Sequence, residues 1–218
     1  MIFDRQRQRL LLQGKEYTAG DIFRLVAEGV ENCPPALWDL YLFLEKWFDA
    51  SPVITVHTSG STGTPKELVV CKDRMMQSAR LTCEFLNLQA GDTALLCMNL
   101  RYIGAMMVVV RSLVAGLNLI VRPASGHPLS DIEEPLRFAA MVPLQVYNTL
   151  RVPEEKARLE QTDILIIGGT SLAVYPAASL IDYYRGNKLV LVNKSPTPAD
   201  RRADLVIHAP IGEVFSQL

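Results

Sequence analysis

Charge of one sign is what this sequence most plainly lacks: 22 Lys and Arg stand against 23 Asp and Glu, a formal net charge of −1. No basic excess exists to displace counterions from a phosphate backbone, which argues against a nucleic-acid partner. Cysteines are few, four in all, at Cys33, Cys71, Cys83 and Cys97. None forms a CxxC pair, so no metal site and no redox couple is indicated. They read as buried, reduced, small apolar residues of a cytoplasmic protein. Long hydrophobic runs are also missing. The most apolar stretch, Tyr102 to Leu119, is interrupted by Arg111 and Asn118. A membrane span wants about 20 mostly apolar residues, so a buried core helix is expected there and no membrane partner. The opening residues Met1 to Arg7 carry too much charge for a secretory signal. No internal repeat or low-complexity tract is present.

What is there is a chain of 218 residues, 49% hydrophobic and 21% charged. That suffices for a packed core in one large or two small domains. Residues 1 to 17 alternate weakly, as a short edge strand or hairpin would. Ala19 to Val30 has helical spacing, Pro34-Pro35 interrupts it, and Leu37, Tyr41, Leu44 and Phe48 mark a second amphipathic helix. Lys72 to Leu88 reads as a helix, Ala94 to Met98 as a strand and Leu119 to Val121 as another. Asp131 to Ala140 is expected to be a helix capped by Ser130, Met141 to Tyr147 a strand, Pro153 to Gln161 a polar helix and Asp163 to Ile167 a strand. This alternation predicts an α/β fold, an open, mainly parallel sheet with helices on both faces.

The chain is organised around His57 to Val70. An apolar run, Val53 to Val56, enters it, and Leu68, Val69 and Val70 leave it. Between them lie hydroxyl residues, Gly60, Gly63 and Lys66. Glycine lets backbone N–H groups close on an anion, hydroxyls add donors and the lysine adds a point charge. The pattern is a strand, a polar loop and a second strand, and the ligand it implies is a polyphosphate. It is not a Walker A loop, because Pro65 precedes Lys66 and Glu67 follows it.

Thr58-Ser59-Gly60-Ser61-Thr62-Gly63-Thr64-Pro65-Lys66 resembles the phosphate-binding signature of the AMP-forming acyl-CoA ligases. From about residue 36 to about residue 169 the chain resembles the o-succinylbenzoate–CoA ligases of menaquinone synthesis, notably at Val110 to Gly116. The resemblance implies ATP with Mg²⁺ as cofactor, and an aromatic carboxylic acid and coenzyme A as partners. It implies that Thr58, Ser59, Gly60, Ser61, Thr62, Gly63 and Thr64 wrap the β- and γ-phosphates and that Lys66 helps hold them. It also implies that Arg101 and Tyr102 line the acyl pocket and that Gly168 and Gly169 lie on the adenine side. Arg101 is read either as the partner of a substrate carboxylate or as a member of a surface salt bridge. Beyond residue 169 the family's Tyr-Gly-x-Thr-Glu, its ribose-binding Thr-Gly-Asp and its lid lysine are not found. The expectation is therefore a nucleotide-binding part with weak or no ligase activity. No catalytic residue and no metal ligand is assigned.

The segment from Thr162 onward resembles the last βαβ unit of bacterial sirtuins, the NAD-dependent protein deacylases. Asp163 to Ala178, Lys188 to Pro198 and Arg202 to Ile207 carry the likeness. It implies NAD as an alternative cofactor, with Gly169, Thr170 and Ser171 on its ribose-phosphate side and Asn193, Lys194 and Ser195 at the adenosine ribose. The sirtuin pyrophosphate loop, zinc ribbon and catalytic His-Gly-Asn are not found. His57, His127 and His208 read as ordinary surface or loop histidines. The expected organisation is a chimera: residues 1–162 ligase-like, residues 163–218 sirtuin-like and packed on the same sheet, with Leu189 to Val192 and Asp204 to Ile207 as added strands. A non-catalytic nucleotide-binding scaffold is the third reading.

Overall fold

The computed structural model describes residues 1–57, 67–167, 188–192, 196–197 and 200–209. The first strands are β1 (Leu10–Leu12) and β2 (Lys15–Tyr17), a hairpin closed by Gln13 and Gly14, both at positive φ (48° and 82°). Two residues of that conformation match the right-handed twist of the flanking strands. Helix α1 (Ala19–Glu28) starts on a capping box: the Thr18 hydroxyl accepts from the Asp21 amide, and the Asp21 carboxylate accepts from the Thr18 amide. Helix α2 (Pro35–Phe48) starts with Pro35, whose fixed φ suits a first helical turn. It buries Leu40, Tyr41, Phe43, Leu44, Trp47 and Phe48.

Strands β3 (Val53–His57) and β4 (Glu67–Cys71) pair antiparallel as a two-stranded ribbon. Then follow α3 (Lys72–Phe85), β5 (Thr93–Leu96), α4 (Ile103–Ala115), β6 (Asn118–Val121), β7 (Phe138–Met141), α5 (Pro143–Thr149), α6 (Pro153–Glu160), β8 (Ile164–Ile167), β9 (Lys188–Val192) and β10 (Leu205–Ile207). Apart from the ribbon, these strands form one sheet in the order β10-β9-β8-β7-β5-β6-β1-β2. Every pairing in it is parallel except β1 with β2.

Alternation along the central strands builds two cores. Ala94, Leu96, Leu119, Val121, Phe138 and Ala140 face one way, toward α2, α3 and α4. Leu95, Cys97, Ile120, Ala139 and Met141 face the other way, onto Leu129, Ile132, Leu136, Val146 of α5 and Leu159 of α6. Each such leucine or isoleucine, fully buried, contributes about 2 kcal/mol. The expected α/β class, with a mainly parallel sheet covered on both faces, is the observed one.

Helix α4 buries every residue from Ala105 to Val114, Arg111 and Ser112 included. Its 13 residues reach about 20 Å, and no described helix is long and apolar enough to cross a membrane. The buried Arg111 guanidinium lies 5.9 Å from the Phe138 ring centre. Burial pulls it down to about 10, opposed by nearby Cys83, so it keeps its charge at neutral pH. Gly116 ends the helix in the left-handed region, at φ +73°, where its amide donates to the Ser112 carbonyl at 2.8 Å. A Cβ there would also lie 3.3 Å from the Cβ of Ala90. Gly116→Ala is therefore expected to cost about 1–2 kcal/mol, read as a lower urea midpoint with unchanged slope. An unchanged midpoint would refute this account of the turn.

Two expectations fail. Residues 131–137 are turns and bends rather than a helix capped by Ser130, and the strand lies at Phe138–Met141, with residues 143–149 helical. Pro135 interrupts the amide ladder a helix over 131–140 would need. The Phe-Ala-Ala-Met run is the short apolar stretch of a strand with all four residues buried, covered on both faces. Pro143 then opens α5 at its first turn. The expected strands at Leu189 to Val192 and Asp204 to Ile207 are present as β9, paired to β8, and β10, paired to β9.

Candidate nucleotide site and the adjoining cleft

The sheet reverses its order of growth between β5 and β7. The chain leaves β5 for β6 on one side and returns to β7 on the other. Ligands of open α/β sheets gather in the crevice that such a reversal opens at the carboxyl ends of the strands. The loop after β5 and the start of α5 flank this crevice. Gln145, buried on α5, fastens its floor. Its amide nitrogen donates to the carbonyls of Cys97 (2.8 Å) and Ser125 (2.9 Å), and its oxygen accepts from the Val142 amide (3.2 Å). The ends of β5 and β7 and the loop after β6 are thereby held together.

The β3–β4 ribbon opens onto the same edge. Its last ladder pair is His57 with Glu67, and the His57 amide donates to the Arg101 carbonyl at 3.3 Å. A parallel bridge joins His57 to Tyr102. The candidate phosphate residues Thr58, Ser59, Gly60, Ser61, Thr62, Gly63, Thr64 and Lys66 lie outside the described residues. Both strands that bracket them are described.

Arg101 is exposed on the Asn99–Tyr102 turn, where the Asn99 side chain accepts from the Arg101 amide at 2.8 Å. Among the described residues no carboxylate pairs with its guanidinium. It lines a cleft of about 280 Å³ together with Asp39, Phe43 and Lys46 of α2, Ile54 and His57 of β3, and Met106 of α4. Tyr102 stands beside the cleft and does not line it. A second hollow of about 160 Å³ shares Asp39, Asn99 and Leu100 and runs to Arg122 at the end of β6. Arg122 is tied to Asp131 at 2.9 Å.

Lys46 and His57 are the cleft residues that sequence reasoning missed. His57 ends a strand rather than standing in a surface loop. Its Nε2 lies 3.2 Å from the Glu67 carboxylate, and its Nδ1 is buried with no partner among the described residues. His127 does lie in a loop, with Nδ1 2.9 Å from the buried Glu155, which also accepts from the Thr149 hydroxyl at 3.3 Å. His208 pairs with Asp200 at 3.2 Å.

Gly168, Gly169, Thr170, Ser171, Asn193, Lys194 and Ser195 also lie outside the described residues. The strands that lead into them, β8 and β9, run parallel to β5 and end on the same edge of the sheet. Cys83 and Cys97 are buried and reduced, their thiols pushed up by burial to about 11 and about 12, while Cys33 and Cys71 are partly exposed. Among the described residues no group of three or more metal-ligating side chains converges.

Comparison with known proteins divides along the chain. An NAD-dependent protein deacetylase of Clostridium tetani is 64% identical over 57 residues, 26% of this chain and 23% of that protein. The corresponding protein of Clostridium perfringens is 61% identical over 61 residues, 28% of this chain and 25% of its own length. The chain thus spans about a quarter of these curated relatives. Among solved structures, an acyl-CoA synthetase (AMP-forming)/AMP-acid ligase II-like protein from Dyadobacter fermentans superposes with a TM-score of 0.63 at 29% identity. That match covers 75% of this chain and 47% of the other. The model of the AMP-binding enzymes matches residues 29–193, well over half of the sequence and including both strands of the ribbon. The chain therefore belongs to the AMP-binding enzyme family.

Proposed function

We propose that this chain is the ATP-binding part of an AMP-forming carboxylate–CoA ligase, similar to the o-succinylbenzoate–CoA ligases of menaquinone synthesis, working in the cytoplasm. The single observation that carries the reading is the neck of the ribbon. His57 and Glu67 close it beside Arg101, at the strand ends where the sheet reverses. The glycines and hydroxyls of residues 58–66 follow directly on that last ladder pair in the sequence. Thr58 to Thr64 would wrap the β- and γ-phosphates of ATP, with Lys66 adding its charge. Mg²⁺ would ride on the phosphates, as this ion commonly does.

The chemistry asks for little more than positioning and charge. A carboxylate oxygen attacks the α-phosphorus, the bond to the bridging oxygen breaks, and pyrophosphate leaves with the negative charge. Preorganised N–H donors and an ammonium stabilise that charge as it develops. Arg101 orients the acid. Gly168 and Gly169, immediately beyond β8, serve the adenine side.

A second reading has its own support in the 64% identity to a deacetylase. In it residues 163–218 form a sirtuin-like segment on the sheet of a ligase-like segment, residues 1–162. Gly169, Thr170, Ser171, Asn193, Lys194 and Ser195 then take the ribose groups of NAD. Binding without deacylation is the expected behaviour, since no general-base His-Gly-Asn accompanies them.

Exchange of labelled pyrophosphate into ATP, with and without o-succinylbenzoate, tests the first reading. Slow exchange that requires the acid is the expected result. No exchange from a chain that binds MgATP would leave a non-catalytic scaffold, and NAD binding by calorimetry in place of MgATP would favour the sirtuin-like reading.

A further inference from the structure

Every polar atom of the Gln145 side chain is committed to backbone at one edge of the sheet. The residue is 5% exposed. Its amide nitrogen carries two protons, and each has a carbonyl, that of Cys97 at 2.8 Å and that of Ser125 at 2.9 Å. Its oxygen accepts from the Val142 amide at 3.2 Å. Two donors and an acceptor on a stem of this length belong to glutamine: ionised glutamate lacks the donors, and lysine lacks the acceptor. Cys97 lies just past β5, Val142 just past β7 and Ser125 in the loop after β6, so one side chain spans the point where the sheet reverses.

The bond to Cys97 leads on to the ribbon. Met98 alone separates Cys97 from the Asn99–Tyr102 turn. That turn closes on itself: the Asn99 carbonyl accepts from the Tyr102 amide at 3.1 Å, and the Asn99 side chain accepts from the Arg101 amide at 2.8 Å. The Arg101 carbonyl then accepts from the His57 amide at 3.3 Å, beside the bridge between His57 and Tyr102. His57 is the last ladder residue of β3, and the candidate phosphate residues begin at the next position. A turn braced by its own hydrogen bonds moves as a unit, so a shift at Cys97 is passed to His57. A contiguous hydrogen-bonded route thus joins α5 to the neck of the ribbon.

We propose that Gln145 is a positioning residue for nucleotide binding. By clasping the ends of β5 and β7 and the loop after β6, it holds the Asn99–Tyr102 turn, and through that turn the neck of the ribbon, in the geometry that binding needs. The inference rests on the ligase reading for the task of residues 58–66. Gln145 is buried and acts through the backbone it holds, not on the ligand. Coupling of this kind is reciprocal: a clasp that favours binding must itself be tightened when nucleotide binds.

Amide hydrogen exchange of the whole chain by NMR, beside calorimetry of MgATP, tests this. In the wild type, MgATP is expected to slow exchange of the Gln145 side-chain protons and of the His57 amide. Gln145→Met keeps the length of the side chain and makes none of these bonds. At temperatures where it is fully folded it should bind MgATP about tenfold more weakly and exchange its His57 amide about tenfold faster. The Gly116 amide, bonded to the Ser112 carbonyl at the far end of α4, should keep its rate. A role in stability alone would speed both amides together and leave the affinity unchanged. Gln145→Asn, whose amide stops one methylene short, should show the same selective pattern more weakly, and the wild-type comparison needs no variant to fold. Equal MgATP affinity in wild type and Gln145→Met, parallel loss of protection at His57 and Gly116, or Gln145 side-chain protons indifferent to bound MgATP would overturn the proposal. Selective loss at His57 in Gln145→Met, with no MgATP binding to the wild type, would sink the nucleotide reading alone.

Discussion

Replacing Lys72 with methionine will destabilise the fold by about 1–2 kcal/mol, the scale of losing a buried ammonium's hydrogen bonds to a helix-end carbonyl and to a half-exposed carboxylate. Lys72 opens α3, and its side chain is wholly buried. Its ammonium donates to the Lys46 carbonyl in the last turn of α2 and to the Asp49 carboxylate just beyond, the latter at 2.7 Å. A cation at that point meets the negative end of the α2 dipole and satisfies a carbonyl that the helix itself leaves open. Methionine fills a similar volume and donates nothing, so the carbonyl loses its partner. Trp47, buried on the same helix, makes fluorescence a direct monitor of urea unfolding. An unchanged midpoint would contradict this account.

The pH dependence gives the same experiment a second reading. The hydrogen bond from Lys72 is the main reason that the Asp49 carboxyl titrates below its usual range. A carboxyl depressed in the folded state stabilises above its unfolded pKa, about 3.9, and loses that contribution as pH falls through the folded value. The gap between wild type and Lys72→Met should therefore narrow in acid.

How far the chain was legible depends on the range of the forces involved. The β3–β4 hairpin, α4 and the parallel strands at Asp163 and beyond are set by local apolar pattern, and each stands where the pattern put it. The stretch from residue 131 to residue 149 was not legible by periodicity. Phe138 to Met141 is a four-residue apolar run that suits helix or strand equally, and only its place between β5 and β8 decides. Pro135 and Pro143 carried the signal that periodicity lacked: one forbids the expected helix, the other begins the real one.

The proposed phosphate-binding stretch could be picked out because its glycines, hydroxyls and lysine are contiguous in sequence. The cleft could not, because Lys46, His57 and Arg101 meet only when α2, β3 and the turn after β5 pack together. Gln145 was hidden for a related reason. Placed in an expected strand, it had no evident task; on α5 it ties the ends of two strands and a loop. Lys72 was expected only as the first residue of a helix, and nothing local announces that its ammonium is buried.

The second large effect belongs to Lys66. A point charge on polyphosphate oxygens, in a loop whose other donors are neutral, is worth about 2 kcal/mol as a charge-assisted hydrogen bond, or about 30-fold in affinity. Isothermal calorimetry of MgATP against the wild-type chain and Lys66→Ala, with circular dichroism to establish that both are folded, is the most direct test of the nucleotide reading. The account predicts saturable one-to-one binding to the wild type and about 30-fold weaker binding to Lys66→Ala. No heat of MgATP binding to a folded wild-type chain, or the same affinity in both proteins, would contradict it.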